Sequence, residues 1–242
     1  MNLKEKSNNP VYAVDCLLQG LKLLGRSELR KYVLVPIAIN LVLYSVAFAL
    51  GYYYISDLIA HFIPSWLSWL EWLIWPLFFI SFSILGFFSF TILANLIASP
   101  FYSQLSAKTI EIISGQANTI EEQALSKVIW SEITRLTYLV SRMLPLLLLF
   151  IIPGINLIAP FLWALFGAWG IGLEFMAYPL ENQGLLFKQQ KLDAKSRRIG
   201  VLSFGGLTVV GLSIPVINLI VAPAAVIGAT VYFYGLSEKG KY

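Results

Sequence analysis

Of this chain's 242 residues, 58% are hydrophobic and 12% charged, where soluble domains carry about 25% charged residues. Long uncharged runs and seven Trp predict an all-α integral membrane protein, one membrane domain over 1–242 with no room for an appended soluble enzyme. The net charge of +4 suits orientation and lipid headgroups, not nucleic acid. Lone Cys16 and lone His61 exclude an intrachain disulfide, a cysteine metal cage and a multi-histidine site, so no metal or cofactor is expected.

The polar start MNLKEKSNNP lacks a short apolar region with a small-residue cleavage site, so no cleaved signal peptide is expected. Residues 10–32 read as an amphipathic surface helix: Val11, Val14, Leu17, Leu18, Leu21, Leu24 and Leu29 are set among Lys22, Arg26, Arg30 and Lys31. The bland reading is an interfacial helix with snorkelling cations. The sharper one lets Arg30 and Lys31 attract an anion where the first span begins.

Residues 33–55 form an apolar run of about 35 Å as a helix, and 73–98 one of roughly 39 Å, each enough to cross the hydrocarbon core. The 56–72 segment between them holds Asp57, His61 and Glu71 but no Lys or Arg, and Trp66, Trp69 and Trp72 give it the look of an interfacial belt. Residues 101–142 are the most polar stretch and read as two cytoplasmic amphipathic helices. Ser114-Gly115-Gln116 ends the first; Thr119 caps the second, with Glu121 and Glu122 in its first turn.

Residues 143–178 form a hairpin broken at Pro153-Gly154, its first arm only about half a bilayer long. Its second arm carries Ala164, Ala168 and Gly172 at four-residue spacing, which lets membrane helices approach closely. Residues 201–234 repeat the pattern after the basic segment LFKQQKLDAKSRRIG, with a break at Pro215 and Asn218; the arms are longer here, so a hairpin of two complete spans stays open. All 17 Lys and Arg fall outside the apolar elements, which puts every basic segment in the cytoplasm and makes both hairpins return to the side they left. Charge bias alone does not separate re-entrant hairpins from pairs of complete spans; the uncharged tips and the short first arm favour re-entry.

A phrase recurs inside these runs: Asn95-Leu96-Ile97-Ala98-Ser99-Pro100, Asn156-Leu157-Ile158-Ala159-Pro160 and Asn218-Leu219-Ile220-Val221-Ala222-Pro223. Proline in an apolar, uncharged setting predicts broken helices packed in protein or lining a cavity. Asn95, Asn156 and Asn218 either satisfy broken-helix backbone groups or line a polar path. Glu174, in Gly172-Leu173-Glu174-Phe175, is a carboxylate within an apolar run, which defaults to a functional reading. It either pairs with a basic residue near the interface or orients a site in which amides around Gly172 approach an anion. Gly235 to Lys241 matches part of a P-loop by chance, since Tyr242 follows where Ser or Thr is needed. No carboxylate pair or nucleophile–base set suggests an enzyme.

The stretches LRKYVLVPIAINL at 29–41, NLIASPF at 95–101, IPGINLIAPFLWALFGAW at 152–169, GLEFMAYPLEN at 172–182 and IPVINLIVAPAAVIGAT at 214–230 together resemble the CysZ family of bacterial sulfate permeases. The resemblance implies sulfate uptake across the inner membrane for cysteine synthesis. It also implies two long transmembrane helices, two hemi-penetrating hairpins, and homo-oligomers for which a hexamer is one candidate size. The implied sulfate site combines the backbone of Gly172, Leu173, Glu174 and Phe175 with Arg30 and Lys31. Where two arginines are expected this chain has Lys31, a point charge without the bidentate fork, and Arg26 stands as a substitute contact. The expectation is therefore a multi-pass, channel-like permease with sulfate and membrane lipid as partners. Its rivals are a transporter of another oxyanion and a membrane scaffold without transport.

Overall fold

The computed structural model describes residues 8–62, 71–115, 124–214 and 217–237. The expectations on Trp66, Trp69, Thr119, Glu121, Glu122, Pro215 and the last five residues lie outside these, as do those on the side chains of Asp57, His61, Glu71 and Asn95. Every regular element among the described residues is helical. In chain order they are α1 (Pro10–Leu23), α2 (Ser27–Phe62), α3 (Glu71–Ser114), α4 (Leu125–Leu149), a 3₁₀ turn (Ile155–Leu157), α5 (Ala159–Glu181), α6 (Phe187–Ser196), α7 (Arg198–Leu212) and α8 (Asn218–Ser237). The chain divides into two compact units, residues 32–101 and the remainder.

The 32–101 unit holds most of α2 and the first part of α3. These helices have 36 and 44 residues, about 54 and 66 Å, longer than a bilayer core is thick. Val42, Phe48, Leu77 and Phe79 are exposed along them, as befits helices whose solvent is lipid. α2 runs on to Phe62, so the expected 56–72 loop begins later than its sequence suggested.

The other unit is built on backbone-close helix crossings. α1 meets α8 at Gly20, where an added Cβ would lie 2.2 Å from the Ala224 carbonyl oxygen; at Gly228 it would lie 2.9 Å from that of Cys16. α5 meets α7 at Gly205, where it would sit 1.9 Å from the Ala168 carbonyl oxygen and 2.7 Å from the Gly172 nitrogen. With lipid outside, no hydrophobic drive holds two helices together, so small residues supply van der Waals contact instead. Ala168 and Gly172 of the expected small-residue row take part, whereas Ala164 is exposed. Buried Tyr232 packs on Tyr12, Phe204 and Phe233 with ring centroids 5.4–6.4 Å apart, each such pair worth about 0.5–1.5 kcal/mol.

Polar pairs lock the remaining elements onto this core. Asn9 caps α1 by accepting from the Val11 amide at 2.8 Å, and Asn8 accepts from the Ile199 amide at the start of α7. The Ser106 and Thr230 hydroxyls meet at 2.8 Å in a buried contact between α3 and α8. Asn182, 2% exposed, accepts from the Ser103 hydroxyl and donates to the Ser103 carbonyl.

Two expectations change. The single helix over 10–32 is two helices, parted at Leu24-Gly25-Arg26, with α2 starting at Ser27. The span ending at 98 and the amphipathic helix after it are one helix, α3, which continues through Pro100 to Ser114. A membrane helix tolerates proline where neighbours re-satisfy the freed carbonyl, so the first copy of the Asn…Pro phrase breaks nothing. The other two copies fall at helix starts: Pro160 occupies the first turn of α5, and Asn218 opens α8. The α4–α5 connection turns at Gly154, whose φ of +85° only glycine adopts without strain. Ile151, Leu157 and Phe161 around this tip are each more than 70% exposed. Ser27–Leu50, Ala159–Glu181 and Asn218–Gly235 are each long and apolar enough to cross a bilayer.

Candidate functional site

The expected anion site has two halves, and each has its own neighbourhood. Arg30 and Lys31 lie in the first turns of α2, both exposed. The adjacent Leu29 is fully buried and anchors that turn. The Arg30 guanidinium donates to the Gly25 carbonyl at 3.2 Å, so the α1–α2 turn orients it while its other donors face outward. Arg26 occupies that turn and is exposed as well.

Gly172, Leu173 and Phe175 are buried in the middle of α5. There an amide donates to the carbonyl four residues back, so the expected nest of free amides is absent. Gly172 instead serves packing, with Val201 and Gly205 of α7 against its backbone. Glu174 turns outward, and the charged groups whose fields reach it are Arg135 and Glu132. Asn156 and Asn218 are exposed at the starts of the helical segments that follow the turns, where their backbone N–H groups donate to the carbonyls of Ile152 and Ile214.

Arg135 of α4 organises a network that sequence reading passed over. Its Nη2 donates to Glu181 Oε1 at 2.7 Å and Gln190 Oε1 at 2.9 Å, and its Nη1 lies 3.2 Å from Glu132. The guanidinium also sits 5.7 Å from the Phe187 ring centroid, and its Nε is buried with no acceptor. Burial pushes the Glu132 carboxyl above its ordinary range, with Arg135 pulling it partly back. Gln190, nearly fully buried, closes the network by donating to the Leu185 carbonyl and to Glu181.

One helical turn along, Tyr138 lies under two cations, Arg142 at 3.8 Å and Lys191 at 5.0 Å from its ring centroid. Its hydroxyl accepts from the Trp169 indole at 3.0 Å. Three cations thus gather where α4, α5 and α6 meet, the first of them balanced by Glu132 and Glu181 and the other two stacked on Tyr138. The signal in the sequence was Arg135 and Arg142 seven apart on one helix face, flanking Tyr138. Among the described residues, no group of three His, Cys, Asp or Glu could hold a metal ion.

A family model described as Sulfate transporter CysZ/Etoposide-induced protein 2.4 matches residues 16–223. The chain belongs to this family. A protein of Pseudomonas aeruginosa is 36% identical over 232 residues, covering 92% of this chain and 94% of its own length. One from Pseudomonas syringae pv. tomato is 37% identical, covering 93% and 91%, and one from Pectobacterium atrosepticum is 32% identical, covering 90% and 82%. All three bear the name Sulfate transporter CysZ. The CysZ family match takes in Arg26, Arg30, Lys31, Asn95, Asn156, Gly172 to Phe175 and Asn218, together with the Arg135 network.

Proposed function

We propose that this protein moves sulfate across the bacterial inner membrane, as a channel-like permease that feeds cysteine biosynthesis. The observation that carries the reading is family membership over most of the chain, with relatives named as sulfate transporters matched almost end to end. Arg30, flanked by Lys31 and Arg26, is the proposed cationic contact. Its outward donors suit a divalent oxyanion, and its exposure suits a site that must also release its ion. Residues 172–175 stand in a separate neighbourhood, within the α5–α7 packing.

In this reading α2 and α3 span the bilayer, while α4–α5 and α7–α8 are re-entrant hairpins. The 15 residues of α7 measure about 22 Å, short of a core of about 30 Å. Calorimetric titration of the detergent-solubilised protein with sodium sulfate tests the binding claim. Arg30→Ala should raise the Kd about tenfold or more; unchanged affinity would remove Arg30 from the site.

A further inference from the structure

A cavity of about 510 Å³ lies between the start of α4 and the start of α6, within the roughly 300–1,000 Å³ typical of ligand sites. Its walls are mostly apolar, with Trp130, Thr134 and Phe187 among them, and Lys127 and Lys188 stand at it from opposite helices. Ser131 accepts the Phe187 amide proton at 2.9 Å, which fixes α6 against α4 and keeps the two lysines on one opening. Both lysines are exposed, and neither is held in an ion pair among the described residues.

An apolar stripe runs along α4 through Ile129, Ile133, Leu136, Val140, Leu144 and Leu147, each more than 40% exposed. These positions fall within about 80° of one another round the helix, and Trp130, 68% exposed, stands between stripe and cavity. The stripe continues into the leucine-rich end of α4 at the apolar α4–α5 tip.

We propose that this cavity is a binding site for an anionic phospholipid. The phosphate sits between Lys127 and Lys188, the glycerol packs on Trp130, and the acyl chains lie along the stripe. Two cations without bound counter-charge favour a headgroup carrying net negative charge, and they repel the choline or ethanolamine ammonium of a zwitterionic one. The apolar walls and the adjoining stripe distinguish a lipid from free phosphate, which has no surface to cover there. The site is independent of sulfate recognition.

Tryptophan quenching by tail-brominated phosphatidylglycerol and phosphatidylcholine, added to the full-length protein in mixed micelles, tests this. Brominated phosphatidylglycerol should half-saturate at about a tenfold lower mole fraction than the choline lipid, an advantage two lysines can supply. Lys127→Gln with Lys188→Gln should abolish the preference, Trp130→Phe should remove the part of the quenching that differs between the two lipids while the other six Trp are quenched equally by both, and millimolar inorganic phosphate should not displace the lipid. Four outcomes overturn the proposal: equal potency of the two lipids, a preference that survives the double substitution, displacement by inorganic phosphate, or a second copy shielding Trp130 from both lipids. Both lysines are exposed, so their loss leaves the fold intact; Trp130→Phe gives a readout independent of them.

Discussion

Arg135 has its side chain only 14% exposed, so protein groups must supply its partners. Glu181 is 46 residues and Gln190 55 residues further along the chain, which is why the sequence showed only an ordinary charged helix face. Arg135→Ala strips the cation from Glu132 and Glu181 and leaves the Gln190 carbonyl unpaired. The loss should be about 2–3 kcal/mol, below the 3–5 of a fully buried pair because both carboxylates keep water. Arg135→Lys should fall between, since an ammonium lacks the fork that serves two acceptors at once. Thermal unfolding in detergent measures both, and a wild-type melting temperature for Arg135→Ala would show the network to be decorative. Gly172 teaches the converse lesson. The chain advertised it twice, in the anion phrase and in the small-residue row, and packing uses the second.

Helix crossings decide stability among the elements. At Gly205 a methyl group would meet the Ala168 carbonyl and the Gly172 backbone, atoms that cannot swing aside. Gly205→Ala should therefore cost about 3 kcal/mol or more, at the upper end of overpacking penalties. Gly167→Ala, with nothing within 4 Å of the new methyl, should cost nothing measurable and gain a little helix propensity. Similar melting temperatures for the two variants would contradict the close α5–α7 crossing. Element existence was legible in the hydropathy of 33–55, 73–98 and the two hairpins, because lipid-facing surface must be apolar throughout. Element ends were not. Pro100 looked like a terminator yet lies inside α3, a position that membrane helices tolerate more readily than soluble ones do.

For the whole molecule, exposed apolar side chains at the α4–α5 tip set the environment as hydrocarbon, and the depth of that tip separates a re-entrant hairpin from a pair of spans. Asn156→Cys in a Cys16→Ser background should resist a membrane-impermeant maleimide added outside spheroplasts. Rapid labelling from outside would mean that α4–α5 crosses completely. The CysZ family stretches were legible throughout the chain; they lie on the α2 start, within α3, at the turns that precede α5 and α8, and on the α5–α7 crossing. The cationic cluster of Arg135, Arg142 and Lys191 was not, because only the packing of α4 on α5 and α6 assembles it.

Radiolabelled sulfate influx into liposomes reconstituted with the purified protein tests the transport claim most directly. The account predicts protein-dependent flux well above empty vesicles, reduced by Arg30→Ala and by excess unlabelled sulfate. Flux no greater than that of empty vesicles, from protein shown to be folded and inserted, would contradict it.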